Sequence, residues 1–254
     1  GGNGIARVKL GKPSLTSFLT GFGPGVGDLR LTAQQMSLSG TVALPTHLLH
    51  TTVSATVEDS GEIVISDLPK VLTFIKTLPQ DALITLWQPK NSALRLICGQ
   101  TELRLPTTDH VMSHKSANKA LLLIEDARRE HWKSWAGKPL TCYARLQGSD
   151  LQQVKSMEKV IGKGVPFKMT FNVEDKMLVF DAGHKSSAAM STALDMEDCT
   201  MDIDEDPAKG ATSHYGPWLP NILGGLPTGP VELYTANDFV SIYRHVEKDY
   251  LLLV

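Results

Sequence analysis

The sequence predicts an α+β chain of two similar domains, each with antiparallel sheets and two helices. Three observations carry this. Apolar residues of the first half recur in the second at two offsets, the recurring stretches keep one order of element types, and a long connector lies between them. At offset 136, Leu10, Leu15 and Phe18 match Leu146, Leu151 and Val154. At offset 148, Val71, Phe74, Ile75, Leu78 and Pro79 match Leu219, Ile222, Leu223, Leu226 and Pro227.

Each half opens with a strand end, a polar turn with Ser or Asp as helix cap, and an amphipathic helix. The run Gly21-Phe22-Gly23-Pro24-Gly25-Val26-Gly27 keeps the first of these helices short. Alternation then predicts hairpins: 28–33 with 36–43 around Gln34-Gln35, and 167–173 with 177–182 around Glu174-Asp175-Lys176. A short helical pattern ended by Leu-Pro follows in each half, then three strands. These are 82–87, 93–98 and 101–105 in the first half, and 230–235, 239–245 and 250–254 in the second. The domains are expected at 5–106 and 139–254, joined by a connector at 107–138. Within it, Ile124, Ala127, His131 and Trp135 form one stripe of a helix expected at 124–135, stopped by Gly137 and Pro139. That helix either packs on its own domain or offers Trp132 or Trp135 to a partner.

Composition narrows the function. The 254 residues are 42% apolar, enough for one large core or two ordinary ones. The 25 basic residues against 27 acidic ones give a formal charge of −2, which does not support a whole-chain electrostatic grip on nucleic acid. Cys98, Cys142 and Cys199 are far apart and odd in number, which argues against a disulfide framework and fits a reducing, cytoplasmic compartment. No apolar run approaches a membrane span; Leu121-Leu122-Leu123-Ile124 is far too short. The start, Gly1-Gly2-Asn3-Gly4, lacks a secretory-leader pattern and is left out of the fold reading.

The order strand, helix, strands, helix, strands, carried out twice around a connector, resembles a DNA sliding clamp. Residues 52–106 resemble the first domain of phage-type clamps, through Glu58-Asp59, a short helix at 68–77, Leu83-Ile84-Thr85-Leu86, Leu94-Arg95-Leu96 and Glu102-Leu103-Arg104-Leu105-Pro106. The stretch Leu146-Gln147-Gly148-Ser149-Asp150-Leu151-Gln152-Gln153-Val154 is similar to the start of the family's second domain, and Tyr250-Leu251-Leu252-Leu253-Val254 to its last strand. Two domains per chain match the PCNA-type and phage-type clamps. The resemblance therefore implies a homotrimeric ring of six similar domains around double-stranded DNA, put on by a clamp loader and holding a DNA polymerase. Such a protein does no covalent chemistry and needs no cofactor.

A clamp attracts phosphate without reading base edges. The helix expected at 149–161 turns Leu151, Val154, Met157 and Ile161 one way and Gln152, Lys155 and Lys159 the other, with Lys163 just beyond. Those four polar residues are the first DNA-facing candidates; a solvated helix face would look the same. Lys70 and Lys76 on the second helix, with Lys9 and Lys12 before the first, are weaker candidates, and the matching helix at 218–226 carries no Lys or Arg. The resemblance also implies an apolar groove for partner peptides beside the connector, which places Val240, Leu251, Leu253 and Val254 there. Core strand positions would give the same residues. The subunit contact implied is strand 101–105 of one copy against 187–194 of the next.

No enzymatic constellation is specific. Asp195, Glu197, Asp198, Asp202, Asp204, Glu205 and Asp206 could hold a divalent metal as in a nuclease, although Pro207 stands where an EF-hand loop needs Gly. His110 with His114, and His47 with His50, lack the Glu and third ligand of a zinc protease. The 21–27 glycines lead to no Lys-Ser or Lys-Thr, and Gly183-His184-Lys185-Ser186 is a turn rather than a nucleophile elbow. A DNA-encircling processivity factor, viral in type, is the function expected; a metal-dependent nuclease and a ringless structural adaptor are the alternatives.

Overall fold

A computed structural model describes residues 5–90, 92–106, 111–183, 186–202, 206 and 210–254, with the side chains of 111–114 outside the description. Two compact units emerge: Gly1–Ala43 with Leu49–Leu121, and Leu44–Leu48 with Leu122–Val254.

Unit 1 begins with strand β1 (Ala6–Gly11) and helix α1 (Lys12–Thr20). Five strands follow: β2 (Leu29–Gln34), β3 (Ser37–Ala43), β4 (Leu48–Ser54), β5 (Thr56–Asp59) and β6 (Gly61–Ile65). Helix α2 (Leu68–Lys76) leads to β7 (Leu83–Gln88), β8 (Leu94–Cys98) and β9 (Thr101–Leu105). One sheet has the order β5-β1-β7-β8-β9; β4, β3, β2 and β6 are neighbours in another. Alternation sets the faces: Ala6, Val8, Leu10, Leu29, Leu31 and Ala33 are buried, while their chain neighbours are not. In α2, the Asp67 carboxylate accepts from the Lys70 backbone N–H, Pro69 occupies the first turn, and Leu68, Val71 and Ile75 are buried at helical spacing.

Unit 2 repeats the plan after helix α3 (Val111–Arg129) and a small ribbon, β10 (Ser134–Trp135) with β11 (Lys138–Pro139). Strand β12 (Cys142–Gln147) leads to α4 (Gly148–Gln152) and α5 (Lys155–Ile161). Next come β13 (Phe167–Asn172), β14 (Met177–Gly183), β15 (Ala189–Asp195), β16 (Glu197–Met201) and β17 (Ala211–Tyr215). Helix α6 (Leu219–Leu223) and strands β18 (Pro230–Thr235), β19 (Ile242–His245) and β20 (Tyr250–Leu253) complete it. Neighbouring strands run β16-β12-β18-β19-β20 in one sheet and β15-β14-β13-β17 in the other. The duplication extends to register. Strand β1 pairs with β7 from Ala6↔Gln88 to Gly11↔Leu83, and β12 pairs with β18 from Cys142↔Thr235 to Gln147↔Pro230. Both first strands also carry a bulge against their outer neighbour, β5 or β16.

Three local expectations shift. The first hairpin turns at Gln35 and Met36, both at positive φ, one residue later than the spacing suggests. The helix expected at 149–161 is two short helices. Around the break, Gln153, Val154, Ser156 and Met157 donate to carbonyls three residues back. Leu151, Val154 and Met157 are all fully buried, and their three-residue spacing aligns better on the tighter 3₁₀ turn than on a 3.6-residue helix. The connector helix lies earlier than the 124–135 expected. It closes at a bond from the Trp132 N–H to the Ala127 carbonyl, with His131 and Trp132 both in the left-handed region. That conformation costs a non-glycine residue about 1 kcal/mol. Burying the Trp132 indole, which is 4% exposed, returns more.

Candidate nucleic-acid and partner surfaces

In each unit the two helical segments pack together, α1 on α2 and α4 with α5 on α6. The predicted polar residues of these helices divide by what their donors do. Lys12 begins α1, and its Nζ donates to the Leu78 carbonyl at 2.7 Å and to the Lys76 carbonyl at 3.4 Å. Gln152 ends α4, and its Nε2 donates to the Leu226 carbonyl at 2.6 Å and to the Thr228 hydroxyl at 3.4 Å. Leu78 and Leu226 are a matched pair of the sequence repeat. Each unit thus ties the end of its second helix to its first with a long polar side chain, which leaves fewer donors for any ligand.

Lys70, Lys76, Lys155, Lys159 and Lys163 are exposed. Lys70 lies 4.0 Å from Asp67, a weak helical pair; the other four make no ion pair among the described residues. Lys155 and Lys159 are one helical turn apart on α5, and Lys163 follows Gly162, whose φ of 97 ends the helix. The aliphatic stem of Lys155 crosses Gly224, where a Cβ would come within 2.8 Å of Lys155 Cδ. The stem thus lies against Gly224 while the residue as a whole stays exposed.

The predicted groove residues are mixed. Leu251 and Val254 are buried, at 5% and 7% exposure, and Val240 and Leu253 are half-buried. Val254 and Ser241 exchange two backbone hydrogen bonds of 2.9 Å, which tie Val254 to the strand neighbourhood of β19.

Sequence reasoning missed two aromatic and arginine clusters. In unit 2, the Trp132 ring lies 5.9 Å from Tyr234 and 4.8 Å from the Arg244 guanidinium, with Tyr143 5.3 Å from Tyr234. Burial and the adjacent Glu232 carboxylate, to which the Tyr234 hydroxyl donates, raise the Tyr234 pKa. In unit 1, Arg7, Trp87, Arg95 and Arg104 stand side by side across four strands. Trp87 is sandwiched between the two guanidiniums, at 5.3 Å from Arg7 and 5.1 Å from Arg95. The Lys9 ammonium, hydrogen-bonded to Glu58, pulls that carboxyl below its usual range, with Arg7 adding to the effect. Cross-strand register, which the sequence does not print, brings both sets together.

The strands expected at a subunit contact, β9 and β15, are each the outermost of their sheets among the described residues. A cleft of about 430 Å³ in unit 2 lies at one end of β15, between Phe167, Ala182, Met190 and His214. The described acids of the 195–206 stretch are spread along the chain from the end of β15 onward. Asp195 ends β15, Glu197 and Asp198 lie on β16, and Asp204, Glu205 and Pro207 fall outside the described residues. The same holds for His110, His184, Lys185 and the His114 side chain. His47 is buried and His50 bonds Thr41. Among the described residues, no group of three His, Cys, Asp or Glu could hold a metal ion, and no helix is long and apolar enough to cross a membrane. Cys98, Cys142 and Cys199 form no disulfide among the described residues.

Comparison with solved structures decides what kind of fold this is. PCNA from Thermococcus kodakaraensis superimposes with a TM-score of 0.67 at 15% identity, over 98% of both chains. The chain has the fold of the DNA sliding clamps. A. fulgidus PCNA, solved with the C-terminal region of FEN-1, matches with a TM-score of 0.66 at 11% identity, over 98% of this chain and 96% of that one. The Helicobacter pylori beta clamp, solved with a DNA ligase peptide, matches at 0.65 and 12% identity. There the clamp fold of this chain spans 98% of its own length and 64% of the relative's. No family model and no curated protein matches by sequence.

Proposed function

We propose that the chain is a DNA sliding clamp. Three copies close head to tail into a ring around duplex DNA and tether the replicative polymerase, after a clamp loader opens the ring. The whole-chain match to the clamp fold, with the plan carried out twice in one chain, is the observation that carries this reading. The ring is built from domains 5–106 and 139–254, with 107–138 between them. Its contacts pair β9 of one copy with β15 of the next, which would cover two strand edges. Lys70, Lys76, Lys155, Lys159 and Lys163 attract phosphate without base contacts, while Lys12 and Gln152 hold the helices that carry them. Val240 and Leu253, the partly accessible members of the predicted groove, receive partner peptides, with Leu251 and Val254 forming its floor. The chain works as a scaffold and not as a catalyst. The likeness of residues 52–106 to phage clamps points to a bacteriophage replication apparatus in the host cytoplasm.

Light scattering across a concentration series tests the ring. A mass near three times 27.7 kDa is expected, together with longer products from a polymerase on primed circular DNA. A monomer at every concentration overturns the ring.

A further inference from the structure

A sheet face covered by a helix is ordinarily apolar, because apolar contact holds the layers together. One face in unit 1 departs from this. Strict alternation on β2 turns Arg30 and Thr32 to one side, and Ser39 stands directly opposite Thr32 on β3. With Thr41 and His50 they form the floor of a cleft of about 220 Å³. Among the described side chains, helix α3 lines its wall with Ala117 and Leu121. Beside Leu121, the small Ala117 side chain leaves a hollow over this floor of hydroxyls, imidazole and guanidinium. Convergent polar groups in a concavity are the mark of a recognition site.

The groups are held in place. Asn118 of α3 accepts from Arg30 Nη2 at 2.6 Å, and Thr41 Oγ1 lies 2.8 Å from His50 Nδ1. Charge selects the ligand. Glu62 lies 3.5 Å from Arg30 and accepts from the Thr32 hydroxyl, so the guanidinium is already partly balanced. A dianionic phosphate would meet that carboxylate, whereas a single planar carboxylate matches the remaining face of the guanidinium fork. The cleft is below the ~300 Å³ at which pockets take drug-sized ligands, so it suits one side chain and not a nucleotide.

We propose that this cleft receives an acidic side chain of a partner protein, with Arg30 as its anchor and Thr41 and His50 beside it. The inference rests on reading the chain as a tether for other proteins, and adds that the partner segment is acidic.

Fluorescence anisotropy with a fluorescein-labelled hexaglutamate peptide tests it on the full chain. Arg30→Gln should weaken binding about tenfold or more, the cost of a charge-assisted contact. Thr41→Val should weaken it severalfold, and Lys248→Gln, an exposed lysine elsewhere, should leave it unchanged. Peptide-induced amide shifts should centre on Arg30, Thr41 and His50, a readout that stands even where Arg30→Gln does not fold. Equal binding by wild type and Arg30→Gln overturns the proposal, as do no binding at all, shifts confined to other surfaces, or displacement by inorganic phosphate as readily as by free glutamate. The mass measurement is independent: a monomer that still binds the peptide at Arg30 overturns the ring alone, and a trimer that ignores it overturns the cleft alone.

Discussion

Alkaline pH should unfold unit 2 before unit 1. All five tyrosines, Tyr143, Tyr215, Tyr234, Tyr243 and Tyr250, lie in unit 2. Burial raises the phenol pKa of each above its ordinary value of 10.0. Tyr215, Tyr243 and Tyr250 are at most 8% exposed, so solvent screens them least. A raised phenol pKa means that the folded chain keeps a proton that the unfolded chain loses. The stabilisation is therefore complete below pH 10 and falls as pH climbs toward the folded values. Tyr243 and Tyr250, whose phenols burial raises strongly, each contribute a slope of about 1.4 kcal/mol per pH unit, together about 3 kcal/mol per unit. Two units above pH 10 would remove about 6 kcal/mol, comparable with the ~5–15 kcal/mol that holds a typical domain. Urea titrations at stepped pH measure this, with Trp87→Phe confining tryptophan fluorescence to Trp132, Trp135 and Trp218 of unit 2. Tyr250→Phe should remove about half of the slope and cost little else, since its hydroxyl makes only a 3.5 Å bond to the Gly225 carbonyl. A urea midpoint flat across this range, or tyrosinate absorbance appearing in the folded chain near pH 10, would refute the reasoning.

Three substitutions probe other parts of the argument. Gly148→Ala places a Cβ on the Pro227 carbonyl oxygen at the start of α4; unit 2 should lose about 3 kcal/mol and about 10 °C of melting temperature by calorimetry, despite alanine's better helix propensity. Lys12→Met keeps the stem but removes the bonds to the α2 end. It should lower unit 1 stability by about 1 kcal/mol in urea titration while leaving the salt dependence of DNA association unchanged. Lys155→Gln with Lys159→Gln should reduce that salt dependence, by about 0.9 in log-log slope for each phosphate no longer neutralised, with stability unaltered; an unchanged slope removes α5 from the DNA surface.

Much of the fold was legible because strand alternation and helix spacing are local. Leu10 and Leu146 occupy equivalent places in β1 and β12, and the repeat that matched them orders both sets of strands alike. The break between α4 and α5 was not legible, since a three-residue apolar spacing fits a helix pattern until backbone bonds decide the turn. The end of α3 was missed for a related reason. The sequence marks stops with Gly137 and Pro139, but the chain stops at His131 and Trp132, where aromatic burial outweighs the backbone cost.

The candidate surfaces divide along the same line. Which helices carry exposed lysines follows from composition and period, properties of neighbouring residues. Which lysines have donors left over does not: Lys12 is committed to a carbonyl 66 positions away, and Gln152 to one 74 away. The Arg7–Trp87–Arg95 stack and the Arg30–His50 cleft likewise need strands brought into register from distant parts of the chain. Local periodicity is written in one dimension, so the sequence alone determined the duplicated α+β plan. Side-chain partnership depends on pairings that only the folded chain creates, so the tertiary structure decided which polar groups hold the protein together and which remain to meet another molecule.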